Sequence, residues 1–104
     1  MSRDFQRSDD EHSRGTDLRL PGADLVSQGM ADLARGAVTA EALLVSIGAP
    51  RFRSLNVHLP ATLPDAEARL YALLYVTHAD GAHGRYNALV RQLVSFQRAA
   101  ACAK

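Results

Sequence analysis

The chain has one cysteine, one lysine and no tryptophan, and its apolar residues form no long run. A single thiol, Cys102, makes neither an intramolecular disulfide nor a zinc cluster, and with no disulfide framework to mark export the expected compartment is the reducing cytoplasm. The longest uninterrupted apolar stretch, Leu70 to Val76, covers seven residues, where a membrane helix needs about 20. Met1-Ser2-Arg3-Asp4 carries no apolar core of a signal peptide. Net charge is also scarce: +1 over 104 residues argues against a protein that lives on nucleic acid, because neutralising phosphates takes a clearly basic domain. Neither membrane nor nucleic acid is therefore an expected partner.

What is abundant is alanine (18) and leucine (14), against only eight valines and isoleucines together. Unbranched side chains lose little rotamer freedom in a helix, so the composition predicts an all-α fold, a small bundle of four to five helices. Residues 1–19 hold four arginines and five acidic residues, with Phe5 and Leu18 as the large apolar side chains. Such a segment buries too little surface to offset its ordering entropy and is expected to be a disordered charged tail, which leaves residues 20–104 as one helical domain.

The first helix is predicted to start near Pro21-Gly22 and to end before Gly36, with Leu25, Val26, Met30 and Leu33 on one face and Asp24, Asp32 and Arg35 off it. Gly29 inside it costs roughly 1 kcal/mol against alanine and implies a close backbone approach by another helix. Thr39 is a good N-cap for a second helix that stops at Gly48, and Pro50 to Leu55 reads as a short third helix. After a loop from Asn56 to Ala61, Thr62 with Asp65 three residues on resembles a capping arrangement for a fourth helix running to about His78. Asp80 is then expected to cap a fifth helix reaching about Ala101, in which Tyr86, Leu89, Val90, Leu93, Phe96 and Ala100 form one apolar stripe and Arg91, Ser95 and Arg98 the opposite face.

The fourth helix differs from the fifth in being apolar on every side for two turns, Leu70-Tyr-Ala-Leu-Leu-Tyr-Val76. One core-facing stripe does not account for that pattern, and a unit of about 85 residues buries only some 60 to 65% of its unfolded surface. A homodimer is expected, with Tyr71, Tyr75 and His78 facing another chain. The competing arrangement packs the first and fifth helices on either side of the fourth within one monomer.

No stretch carries a catalytic or cofactor signature, so the expectation is a protein that is not an enzyme and holds no cofactor. His78, Asp80 and His83 place two imidazoles and a carboxylate within six residues, a set that suits a metal-dependent enzyme if the turn gathers them. Their spacing matches no metal signature, and a helix C-terminus for His78 and a helix cap for Asp80 are the favoured explanation. Thr39 to Val57 also lays out as helix, turn and short helix bearing Arg51, Arg53 and Asn56, a superficial helix-turn-helix. Against it, Pro50 opens a short second helix on which Arg51 and Arg53 diverge by about 200°. The favoured expectation is a small cytoplasmic regulator or adaptor that binds protein, in the manner of an anti-activator or antitoxin sequestering a transcription factor. Its candidate contact residues are Tyr71, Tyr75, His78, Phe52, Arg51 and Arg53.

Overall fold

The computed structural model of the chain describes residues 20–103. The tail expected at residues 1–19 lies outside the described residues. Within them the chain forms helices and no strand: α1 (Ala23–Ala34), α2 (Ala40–Ile47), α3 (Ala49–Ser54), α4 (Ala66–His78) and α5 (Ala82–Ala103), with a 3-10 turn over Ala79–Gly81 joining the last two. The all-α small bundle expected from the composition is the observed architecture.

α1 packs along α2, α2 along α4 and α4 along α5, and α5 closes back onto α1 and α2. Val26, Leu43, Leu44, Val45, Phe52 and Leu70 are fully buried at the centre. The close approach expected at Gly29 is real, since a Cβ there would run into the Glu41 carbonyl oxygen and the Val45 side chain of α2. Gly48, between α2 and α3, likewise leaves room for α5: a Cβ would lie 2.7 Å from Gln97 Nε2, and that amide donates to the Gly48 carbonyl at 3.0 Å.

Thr39 caps α2 as predicted, its hydroxyl accepting from the Ala42 amide at 3.1 Å. The same hydroxyl donates to Asp32 at 2.6 Å, and this overturns the placement of Asp32 off the buried face. Asp32 is 1% exposed, with its carboxylate also accepting from Gln28 and Arg35. A buried carboxylate needs such partners, and here they come from Gln28 one turn earlier in α1, from Arg35 just past its end and from the cap of the next helix.

Two other caps differ from expectation. Thr62 is exposed, and α4 starts only at Ala66, after Asp65 adopts left-handed φ 53° without a side-chain cap bond. The Leu63 amide, which a helix beginning at Thr62 would leave as an orphan donor, is instead held by the Ser46 hydroxyl of α2 at 3.0 Å. Asp80 lies within the 3-10 turn rather than at a cap, because Ala79 at φ 46° breaks the helical path between α4 and α5. α3 spans Ala49–Ser54, one residue earlier than read. The predicted stripe of α5 holds: Leu89, Leu93 and Phe96 are buried, while Arg91, Ser95 and Arg98 are exposed.

Candidate functional site

α4 is bounded by α2 on one side and α5 on the other, and it turns only Ala66, Leu70 and Leu74 inward at intervals of four. α1 does not pack along α4, so the arrangement with α1 and α5 on its two sides is not the one formed. The consequence is an apolar surface open to solvent: Tyr75 is 59% and Val76 81% exposed, and Tyr71 and Leu73 are each more than a third exposed. Helical spacing puts Ala68, Ala72, Tyr75 and Val76 on the side opposite Leu70, with Arg69 beside Val76 at the edge of this outward face and its guanidinium donating to the Pro64 carbonyl at 3.1 Å.

Tyr71 stands at the border of that face, with its ring centroid 5.6 Å from Tyr86 and 6.3 Å from His83, both on α5. Tilted aromatic pairs at these separations are favourable and hold the Tyr71 ring against the α4–α5 seam. Burial, and secondarily the charge of Glu67, raises the Tyr86 phenol above its ordinary value. Tyr75 has no ring partner among the described residues and projects outward.

His78 ends α4, exposed, at the rim of a groove of about 330 Å³ between α1, α2, α4 and α5. Leu25, Leu44, Leu74 and Leu89 form the groove's apolar floor, and Glu41, His78 and Arg85 sit on its edge. The 3-10 turn does not gather His78, Asp80 and His83: among the described residues no three His, Cys, Asp or Glu side chains group closely enough for a metal ion. The His83 ring instead shares a hydrogen bond with Asn87 at 3.2 Å.

Of the residues expected at a contact surface, Phe52 is placed differently. It is 0% exposed, with its ring 6.2 Å from that of Phe96, and so belongs to the core. Helical geometry explains the change, because α3 presents one side to α2 and α5, and Phe52 takes that side while Arg51 and Arg53 flank it in solvent. Arg53 lines, with Asn56, His58 and Thr62, an open pocket of about 440 Å³ beside the loop that follows α3. The structure thus gathers Tyr71, Tyr75 and His78 on α4 and leaves Arg51 and Arg53 on the separate α3 corner. That corner holds a helix of six residues, about 9 Å long.

Two features of the surface were not read from the sequence. The exposure of Val76 exceeds that of either tyrosine, a result visible in the helical wheel once Leu70 and Leu74 are fixed as the inward pair. The leucine-floored groove draws on four helices and has no local signal. No family model matches the chain, and neither a curated protein nor a solved structure matches it. Among the described residues no helix is long and apolar enough to cross a membrane.

Proposed function

We propose that the protein works by binding protein, as a small regulator or adaptor whose contact surface is the outward face of α4. The observation that supports this reading is the largely apolar outward face of α4 with Val76 81% and Tyr75 59% exposed. Apolar side chains are common singly on a protein surface, but a helix that spends five-residue stretches such as Tyr71 to Tyr75 on apolar groups while burying only every fourth position leaves a patch that water solvates poorly. Aromatic residues bordering such a patch are the side chains that supply most binding energy in protein interfaces. Inhibition by occupation of a partner's own surface, as in an anti-activator, is stoichiometric and requires no catalytic group, in keeping with a function of holding rather than converting.

A photo-reactive amino acid placed at position 76 in the full chain, in the source cell, tests the reading. Irradiation is expected to give discrete protein adducts from position 76 and none from position 91, on the polar side of α5. Absence of any discrete adduct from position 76 overturns it.

A further inference from the structure

We propose that the groove between α1, α2, α4 and α5 binds a small zwitterion with one apolar end, in the class of α-amino acids with a leucine- or phenylalanine-sized side chain. The site is separate from the surface assigned above to protein binding. Leu74, Thr77 and His78 line the groove from the half of α4 that holds Leu70, whereas Tyr75 and Val76 lie on the outward half.

The charges on the rim select the class. Glu41, in the first turn of α2, stands half-buried on one edge, and His78 at the end of α4 and Arg85 near the start of α5 stand on another. Among the described residues none of the three makes an ion pair or a side-chain hydrogen bond, to one another or to any other group. Opposite charges therefore border one groove without meeting across it. An occupant carrying only an anion satisfies Arg85 and is repelled by Glu41, and one carrying only a cation meets the reverse. A molecule with a carboxylate beside an ammonium satisfies both edges. Its carboxylate accepts from the Arg85 guanidinium, whose planar fork suits that shape, with the His78 ring as a further partner, and its ammonium donates to the Glu41 carboxylate.

Beneath the rim the lining is apolar. Leu25, Leu44, Leu74 and Leu89 offer no hydrogen-bonding side chain, so a polar body would give up its bonds to water for nothing in return, while an aliphatic or aromatic one gains by leaving water. An apolar floor with a few polar groups that fix orientation is the usual make-up of a small-molecule site, and clefts between the helices of a bundle are a usual place for one. At about 330 Å³ the groove stands at the small end of such sites, a size for one side chain and its charged head.

The test follows backbone amide shifts by nuclear magnetic resonance in the full chain during titration with L-phenylalanine. Three probes each lack one part of it: 2-phenylethylamine the carboxylate, 3-phenylpropionate the ammonium and L-serine the apolar end. L-Phenylalanine is expected to give saturable shifts at Leu25, Leu44 and Leu89, and each incomplete probe to bind at least about tenfold more weakly, the loss of one charge-assisted pair or of the buried body. Arg85→Gln should abolish the preference for L-phenylalanine over 2-phenylethylamine, and Glu41→Gln the preference over 3-phenylpropionate, both with an unchanged helical circular dichroism spectrum. The absence of saturable shifts at the groove overturns the site, as do shifts that saturate only elsewhere. Equal binding of the three aromatic probes, or preferences that survive both substitutions, overturns the zwitterion. N-acetyl-phenylalanine amide binding as tightly as L-phenylalanine also overturns it, in favour of a peptide. Adducts from position 76 report on the outward face alone, so the protein-binding reading stands or falls separately.

Discussion

The Thr39 hydroxyl donates to the Asp32 carboxylate at 2.6 Å while accepting from the Ala42 amide at 3.1 Å, so a single side chain ties the end of α1 to the first turn of α2. The Arg35 guanidinium reaches the other carboxylate oxygen at 2.6 Å. These donors, Thr39 first and Arg35 next, hold the Asp32 carboxyl below its ordinary value of 3.8. On acidification the unfolded chain therefore takes up this proton before the folded chain does, and stability is lost as the pH falls. The contribution is complete above the ordinary carboxyl value and disappears as the pH drops through the folded one. Urea melts between about pH 6 and pH 2 should show the midpoint falling on the acid side, and Asp32→Asn should flatten part of that fall.

The two threonines expected to cap helices give a direct comparison. Thr39→Ala removes both the cap of α2 and a partner of Asp32 and should cost about 0.5–2 kcal/mol. Thr62→Ala, at an exposed position that caps nothing, should stay within about 0.5 kcal/mol of the parent. Equilibrium denaturation of the two variants side by side checks the assignment.

Local signals of this kind were legible where one element decides the outcome. Thr39 before an apolar run, Gly29 inside a helix and the period of Leu89, Leu93 and Phe96 each depend on neighbours a few residues away, and the structure places them as read. The readings that failed depend on partners from other elements. Leu63 is captured by Ser46, 17 residues earlier, which removes the need for a cap at Thr62. Phe52 looked like an anchor between two arginines, yet its ring meets Phe96, far along the chain. At α4 the apolar excess was visible, whereas the choice of Leu70 and Leu74 as the inward pair, and so the exposure of Val76, was set by where α2 and α5 lie.

Gly29→Ala separates helix propensity from packing. In an exposed helix alanine would gain roughly 1 kcal/mol over glycine. Here the new methyl meets the Glu41 carbonyl and the Val45 side chain, and backbone does not yield as a flexible side chain does. Overpacking of this kind costs about 1–3 kcal/mol, enough to reverse the sign, so the variant should unfold at lower denaturant than the parent.

Phe52 and its neighbours distinguish core from surface within one short helix. Phe52→Ala empties a fully buried site packed on Phe96, and deleting a buried phenylalanine costs about 3–5 kcal/mol, a large part of the stability of a domain this small. Arg51→Ala and Arg53→Ala, both exposed, should each remain within about 0.5 kcal/mol.

The same contrast on α4 bears on function. Leu74 is 5% exposed and sits one turn from Leu70 against the core, so Leu74→Ala should cost about 2–5 kcal/mol. Val76, two residues on, is 81% exposed in the single chain. Were that chain the whole of the folded unit, Val76→Ser would remove an apolar group already in water and leave the denaturation midpoint unchanged at every protein concentration. If the face is covered by a second copy, the midpoint of the parent rises with concentration by mass action, and Val76→Ser abolishes that rise while leaving the low-concentration midpoint where it was. Denaturation curves collected across a hundredfold range of protein concentration decide between the two, because the core substitution lowers the midpoint throughout and the surface substitution acts only where chains associate.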